Sequence, residues 1–329
     1  MAETIKWGIL ATGWIANLFA QDLIQTGHCV AAVGSRSQES ADRFAKTFRI
    51  ATSHGSYEAL VSDPCVDIIY IATPHPQHFS AAKLALNAGK HILVEKPFTL
   101  NAKEASEIVD LAQAKGLVVL EAMWTRFLPH MHRIREIIAD GTIGEIRSIT
   151  ADHRQKLPDD PTHRLNAIDL GGGALLDLGI YPISFAWDIL GKPVSIDASA
   201  VFRDTGVDAQ VATVFRYKSG AIVTTLSSSD SAGPNRASLV GTQGRIEIDR
   251  VWYSPTTFRV YDSENNLLET FDGTVEARGM QFQAVEAERL IKGGLLSGDI
   301  MPPSESVEIM ATLDEIRSAI GLRYPGECL

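Results

Sequence analysis

The sequence predicts an α/β protein in two parts: a doubly wound parallel sheet, then an α+β domain with a mostly antiparallel sheet. Up to about residue 125, short apolar runs alternate with helical patterns, as in successive βαβ units. From Val194 onward, strand patterns follow one another and are separated by turn signals, which indicates an antiparallel sheet. The chain has 329 residues, more than one hydrophobic core usually holds, so we expect domains at 1–124 and 125–329.

Hydrophobic periodicity predicts the elements of the first domain. Residues 5–10 are expected to form a buried strand, and a helix with apolar positions at helical spacing begins near Trp14. A helix is predicted to begin after Asn101, because Glu104 follows it at the spacing of a capping box. This capped helix is predicted over 102–115, and one more helix is predicted over 39–48. The remaining predicted strands are 30–34, 66–73, 91–95 and 118–122.

The pattern changes in the second domain, where a helix over 128–140 is followed by a strand within 144–152. We expect one face of the later sheet to be covered by helices and the other to be open. One alternative places the last helix, about 304–320, against the first domain. The further strands are predicted at 195–202, 209–217, 221–228, 236–241, 245–249 and 257–261, and the closing helices at 275–292 and 304–320.

Composition excludes several classes of protein. The net charge of −10 argues against binding to nucleic acid, which depends on clustered Lys and Arg. Three cysteines, Cys29, Cys65 and Cys328, show no paired spacing, which fits a reducing compartment. No secretory signal is evident, and no apolar run is expected to approach the ~20 residues of a membrane span. We therefore expect a cytoplasmic protein without a membrane partner.

A turn typical of dinucleotide-binding (Rossmann) domains follows the first predicted strand. Residues 11–16 have the sequence ATGWIA, the G-x-G-x-x-A/G pattern with alanine at the first glycine. Gly13 would allow close approach of a pyrophosphate to the amides of the helix N-terminus. Because a positive φ would be costly at Ala11, we expect a turn that alanine tolerates. The cofactor-binding residues predicted here are Ala11, Thr12, Gly13, Trp14 and Ile15.

The end of the second strand indicates which cofactor binds. An NAD enzyme usually places Asp or Glu here to hold the ribose 2′-hydroxyl, whereas residues 34–37 have the sequence GSRS. A carboxylate would repel a 2′-phosphate, but Arg36 with the hydroxyl of Ser35 beside it would bind one. A solvent-exposed arginine at a turn is the alternative. The missing acid and the adjacent serines favour NADP(H).

Further candidates lie at two later strand ends and after a glycine run. The carboxyl ends of parallel strands are where ligands of such sheets bind. Asp177 and Tyr181 follow the glycines at 171–173 and, in a helix, would share one face. His75, His78, His130 and His132 have no nearby cysteine or convincing carboxylate partner, so no metal is expected. The strand-end candidates are Thr73, Pro74, His75, His78, Glu95 and Lys96.

Together these motifs resemble the glucose–fructose oxidoreductase/inositol dehydrogenase/MocA superfamily. Within it, the chain is similar to the branch of dimeric dihydrodiol dehydrogenases and NADP-dependent D-xylose 1-dehydrogenases. Many superfamily members carry histidine where this chain has Tyr181, whereas the dihydrodiol branch carries tyrosine. The resemblance rests on HGSYE at 54–58, HPQH at 75–78, EKP at 95–97, EAMWTRF at 121–127 and GGALLDLGIY at 172–181.

The resemblance implies roles for individual residues. Lys96 matches the active-site lysine, Tyr181 the proton donor or acceptor, and Asp177 a supporting carboxylate. Trp124 matches an aromatic wall of the substrate pocket, and Arg36 the contact to the 2′-phosphate. The open sheet face corresponds to the surface through which relatives form homo-oligomers.

Two more residues bear on the substrate. His153 stands where dihydrodiol dehydrogenases have phenylalanine, which makes the pocket more polar. Arg164 is a candidate contact to a sugar hydroxyl, although a surface position explains it equally well.

A free tyrosine has a pKa of about 10, and a cationic Lys96 nearby would favour the phenolate of Tyr181. Which of the two finally accepts the proton stays open.

The sequence thus predicts an NADP(H)-dependent oxidoreductase that moves a hydride to or from a small sugar, polyol or diol. One alternative is a reductase of a dicarbonyl or of an anhydro-sugar ketone. Another is a non-catalytic regulator that senses NADP and binds a protein partner. Lys96 and Tyr181 speak against the regulator, since a sensor has no need of proton-transfer groups.

Overall fold

The computed structural model describes residues 4–327 and consists of two compact units. The first unit contains the residues up to Trp124 together with Glu276–Met310. The second contains Thr125–Val275 and the residues from Ala311 onward. The functional division at residue 124, and the packing of the last helix on the first domain, stay predictions.

A six-stranded parallel sheet forms the centre of the first unit, as predicted. Its strands are β1 (Lys6–Leu10), β2 (Cys29–Gly34), β3 (Thr52–His54), β4 (Ile68–Ile71), β5 (His91–Glu95) and β6 (Val119–Ala122). They lie in the order β3-β2-β1-β4-β5-β6, so the order reverses between β1 and β4. In sheets of this kind, the reversal marks the crevice where a ligand binds.

The helices of the first unit are α1 (Trp14–Gln25), α2 (Gln38–Phe48), α3 (Tyr57–Val61), α4 (His78–Asn87), α5 (Ala102–Lys115) and α8 (Gln281–Gly293). The predicted cap of α5 is confirmed, because Asn101 accepts a hydrogen bond from the amide of Glu104 at 3.0 Å. The sequence did not predict β3, α3 or α4. The first two have three and five residues, too few to show a hydrophobic period.

The turn after β1 contradicts one expectation. Ala11 has a φ of 84°, in the left-handed region where a β-carbon costs on the order of 1 kcal/mol or more. Its amide donates to the carbonyl oxygen of Gly34 at 2.9 Å, which ties the turn to the end of β2. The expectation that the turn avoids a positive φ at Ala11 was therefore wrong.

The second unit contains an eight-stranded, mostly antiparallel sheet, which confirms the predicted class. Its strands are β7 (Ile146–Arg154), β8 (Ser195–Phe202), β9 (Asp208–Arg216), β10 (Ile222–Ser228), β11 (Ala237–Gly241), β12 (Gly244–Ile248), β13 (Phe258–Asp262) and β14 (Leu267–Phe271). The spatial order is β14-β13-β12-β11-β7-β10-β9-β8. β7 pairs in parallel with β10, an arrangement that strand patterns alone do not reveal.

The helices α6 (Pro129–Ala139) and α7 (Ile180–Leu190) belong to the second unit, and α9 (Pro303–Ile320) has residues in both units. On one sheet face, α7 packs against β7 and β10. On the other, Ile222 and Val240 are exposed, and Thr150 and Thr224 pair through their hydroxyls at 3.2 Å. This is the open face expected from the sequence, and assembly through it stays a prediction.

The stretch Ile168–Leu190 corrects one statement made from the sequence. It has 23 residues and is long and apolar enough, by length and composition, to cross a membrane. The expectation that no apolar run approaches that length was therefore wrong. Of its apolar window, 78% is buried inside the protein, which is what the core helix of a globular domain also shows.

A buried carboxylate lies at the start of the helical segment that carries Asp177 and Tyr181. This segment begins as a π-helix, Leu175–Gly179, and continues as α7. Asp208 accepts a hydrogen bond from the Leu175 amide at 2.6 Å, so it caps the segment. Gly173 has a φ of 122°, and a β-carbon there would lie 2.0 Å from Asp208 Oδ1. The glycine run therefore leaves room for the capping carboxylate.

Burial raises the pKa of Asp208 to about 7, well above its ordinary value. In the unfolded chain the carboxyl group ionises near pH 4, whereas in the folded protein it ionises only near pH 7. Its contribution to stability is thus greatest at low pH and is lost as the pH rises through that interval. An asparagine side chain in its place cannot ionise and escapes this loss.

We therefore expect Asp208→Asn to gain stability relative to the wild type as the pH rises from 5 to 7, by at most about 1.4 kcal/mol per pH unit. Above pH 7 the difference should level off. Urea unfolding of both proteins between pH 5 and 8 measures it. A difference that stays constant across this range would show that Asp208 does not titrate between its unfolded and folded values.

A second prediction concerns the strained turn. Ala11→Gly should leave the free energy of unfolding unchanged or raise it by up to about 1 kcal/mol, because relief of the left-handed strain outweighs the added chain entropy. Ala16→Gly is the matched control inside α1, where the same change should cost about 1 kcal/mol. Chemical denaturation measures both. An equal loss of stability in the two variants would contradict the strain at Ala11.

Candidate active site

The phosphate-binding turn lies between β1 and α1. Gly13 caps α1 in an extended conformation, and a β-carbon at this residue would meet no other atom within 4 Å. The first turn of α1 carries no acidic residue, so its positive end is not neutralised locally. Asn17 donates to the carbonyl oxygens of Gly13 at 2.8 Å and Thr12 at 3.3 Å, which holds the turn's carbonyls toward the helix. The open space beside Gly13 and the backbone amides at the N-terminus of α1 would together accommodate a pyrophosphate.

The end of β2 holds the residues predicted to bind a 2′-phosphate. Ser35 is buried and donates its amide to the His54 carbonyl oxygen at 3.0 Å, while Arg36 is exposed. The Arg36 guanidinium lies near the phenol of Tyr57, so its charge lowers a pKa that burial of the phenol raises. The sequence motif HGSYE contains Tyr57, but nothing in it indicated this contact. The guanidinium thus has an aromatic hydroxyl beside it and no carboxylate partner among the described residues.

The loops after β4 and β5 are joined through a buried imidazole. The ring nitrogens of His78 lie 2.9 Å from the carbonyl oxygen of Thr73 and 2.9 Å from that of Pro97. Burial lowers the pKa of His78, and the Lys96 charge lowers it further. His78 is fully buried and both of its ring nitrogens are engaged, and a contact between this residue and the cofactor stays a prediction. Its role is to hold the two loops together.

Glu95 supports the same region from inside the sheet. It accepts a hydrogen bond from the hydroxyl of Tyr70 and another from the amide of Lys96 at 3.2 Å. Glu95 is 5% exposed and supports the backbone from within the sheet, and a contact between this residue and the cofactor stays a prediction. The peptide between Lys96 and Pro97 is cis. Pro74 and His75 follow β4, and His75 is 7% exposed.

An arginine far along the chain completes this edge of the first unit. Trp124 lies two residues after the end of β6 and is buried. The guanidinium carbon of Arg278 lies 5.4 Å from the ring centre of Trp124 and 5.8 Å from that of Trp14. Sequence reasoning missed Arg278, because no motif surrounds it.

In the second unit, Tyr181 belongs to a cluster of polar aromatic side chains. The rings of Tyr181 and His153 meet edge to face at 4.9 Å, and His153 stacks on Tyr253 at 3.8 Å. Gln155 Nε2 lies 2.8 Å from His153 Nε2 and 3.5 Å from the Tyr253 hydroxyl. Burial raises the pKa of Tyr253 to about 12. Sequence reasoning missed Tyr253 and Gln155.

Two further predicted residues also meet in the second unit. The guanidinium of Arg164 lies 3.5 Å from a carboxylate oxygen of Asp177, at the π-helical start of the segment that bears Tyr181. Arg164 is about half exposed, whereas Asp177 is largely buried. Arg164 therefore forms an ion pair with Asp177. An arginine that merely lay on the surface would have no such partner.

Comparison with known proteins identifies the family. Residues 5–123 match the model of the oxidoreductase family with an NAD-binding Rossmann fold, and residues 131–247 match the GFO/IDH/MocA C-terminal domain. A trans-1,2-dihydrobenzene-1,2-diol dehydrogenase of Mus musculus is 37% identical over 98% of both chains. A D-xylose 1-dehydrogenase (NADP(+)) of Hypocrea jecorina is 34% identical over 98% of this chain and 93% of its own.

Solved structures agree with this assignment. A 3-ketoreductase from Actinomadura kijaniata, in complex with NADP and TDP-benzene, superposes with a TM-score of 0.84. It is 26% identical, over 97% of this chain and 98% of its own. A levoglucosan dehydrogenase, 20% identical and with a TM-score of 0.84 over 97% and 98% of the chains, shares the fold. The chain belongs to the GFO/IDH/MocA family of oxidoreductases.

Proposed function

We propose that the protein is an NADP(H)-dependent oxidoreductase that moves a hydride between the nicotinamide and a carbon of a small sugar, polyol or diol. The observation that carries this proposal is the exposed Arg36 at the end of β2, where an NAD enzyme would place a carboxylate. The relatives named for NADP and for sugar or diol substrates support it.

The chemistry of the cofactor requires the protein to supply groups that transfer the alcohol proton. When bound, NADP(H) accepts or delivers the hydride, and the alcohol proton must leave or return in the same reaction. We assign that proton to Tyr181 and Lys96, and a cationic Lys96 would favour the phenolate form of Tyr181. Asp177, held by Arg164, would support the helical segment that presents Tyr181. This assignment rests on the residues matched to the family.

The surroundings of Tyr181 favour a substrate with several hydroxyls. His153, Gln155 and Tyr253 bring ring nitrogens, an amide and a phenol to within one cluster around it. Buried polar groups of this kind bind hydroxyls and reject purely apolar rings, because unpaired polar groups are costly. A sugar or polyol therefore fits better than an aromatic diol.

The cofactor assignment predicts the behaviour of Arg36→Ala. Loss of a charged hydrogen bond to the 2′-phosphate should weaken NADPH binding about tenfold to a hundredfold, and NADH binding should hardly change. Fluorescence titration with each nucleotide measures this. Arg43→Ala, an exposed arginine of α2 paired with Glu39, controls for the loss of one positive charge. Equal effects on the two nucleotides would refute 2′-phosphate recognition by Arg36.

The mechanism predicts a different loss in Tyr181→Phe. Without its hydroxyl, turnover should fall at least about 100-fold, the usual size of general acid–base catalysis. Steady-state absorbance at 340 nm with NADP⁺ and a panel of sugars and diols measures it. Tyr217→Phe, at a buried tyrosine directly after β9 and outside the Tyr181 cluster, is the matched control and should leave turnover nearly unchanged.

Near-wild-type turnover in Tyr181→Phe would remove this tyrosine from the chemistry. If the wild type binds NADPH but turns over none of the sugars, diols, dicarbonyls or anhydro-sugar ketones in the panel, the non-catalytic regulator becomes the better account.

A further inference from the structure

Arg278 occupies a place along the binding edge of the first unit that no sequence motif explains. Its exposed side chain reaches two indole rings, those of Trp14 and Trp124, at 5.8 Å and 5.4 Å. Trp14 begins α1 directly after the phosphate turn, and Trp124 lies two residues after the end of β6. The guanidinium therefore lies along the carboxyl edge of the sheet, beside the turn expected to hold a pyrophosphate.

The loop that carries Arg278 is fixed to α1 itself. The buried carboxylate of Asp22, on α1, accepts hydrogen bonds from the amides of Arg278 at 3.2 Å and Met280 at 2.9 Å. Burial raises the pKa of Asp22, and these backbone amides and the charge of Arg278 lower it. The loop also holds Ala277 at a φ of 58° and Gly279 at 102°. A non-glycine residue persists in that region only where its surroundings determine the conformation, as functional sites often do.

The charge of Arg278 is attracted by the buried Asp22 carboxylate but is not paired with it at contact distance. Cation–π attraction to aromatic rings holds a guanidinium but does not neutralise it, and its N–H groups, which lie in the guanidinium plane, can still donate to an anion. Among the residues that the structure describes, the Arg278 guanidinium forms no ion pair with a carboxylate. The first turn of α1 also lacks an acidic residue. An anion at the turn would thus meet backbone amides from α1 and a guanidinium from the 276–280 loop.

We propose that Arg278 binds the pyrophosphate of the cofactor, as a second source of donors opposite the α1 amides; this inference rests on the proposed NADP(H) function. A guanidinium can give two parallel N–H bonds to phosphate oxygens, and its register to the turn is set by Asp22 on the same helix. The competing occupant is an anionic group of the substrate, since Trp124 matches a wall of the substrate pocket. The position beside Trp14, which adjoins the phosphate turn, favours the pyrophosphate.

Calorimetric titration of the full chain with three nucleotides tests this inference. NADPH and 2′-phospho-ADP-ribose carry the pyrophosphate, the second without the nicotinamide, whereas 2′-AMP carries only the 2′-phosphate. Arg278→Ala should bind the first two about tenfold to a hundredfold more weakly and 2′-AMP as the wild type does. Arg278→Lys, which keeps the charge but loses the bidentate geometry, should fall between. Arg289→Ala, on the exposed surface of α8, controls for net charge.

Two results would overturn the inference while leaving the proposed function intact. One is wild-type affinity of Arg278→Ala for NADPH and 2′-phospho-ADP-ribose. The other is wild-type nucleotide affinity of Arg278→Ala together with a raised KM for the sugar or diol, which would show that Arg278 binds the substrate. A wild-type protein that binds none of the three nucleotides would instead refute the NADP(H) function itself. Thermal unfolding of each variant shows that the fold is retained.

Discussion

The six strands of the first sheet run parallel, so the loops that follow them all open on one edge. The phosphate turn, Arg36 and the loops after β4 and β5 reach that edge for this reason alone. Buried contacts then fix the loops to each other. His78 joins the carbonyls of Thr73 and Pro97, and Glu95 holds the Lys96 amide, so the backbone around Lys96 is set from within the sheet.

In the second unit, the position of Tyr181 is set by the helical segment that carries it. A helical segment enters through a glycine run, is capped by the buried Asp208, and begins with a π-helical turn before it reaches Tyr181. Beneath it, β7 and the residue that follows it supply His153 and Gln155 to the same cluster of polar rings. Side chains are thereby placed around Tyr181 that can hold hydroxyls, which makes the proposed preference for a sugar a matter of packing and not of tyrosine alone.

Sequence reasoning succeeded where the signal is local. The bounds of α5 and the parallel class of the first sheet follow from periodicity and a capping box. Sequence reasoning failed where the role of a residue depends on contacts with residues far away in the sequence. Arg278 reaches Trp14 from a remote part of the sequence, and nothing nearby in sequence marks it. The contact between His78 and the Pro97 carbonyl oxygen was likewise not predicted, because it joins two loops that the sequence motif does not connect.

Transfer of a labelled hydrogen tests the central claim most directly. The wild-type enzyme would be incubated with equal amounts of NADP⁺ and NAD⁺ and a panel of sugars and diols deuterated at the carbinol carbon. The account predicts that deuterium appears at C4 of the nicotinamide, predominantly in NADPH, with at least one sugar or polyol as donor. Deuterium that stays on every substrate, or that enters NADH preferentially, would contradict it.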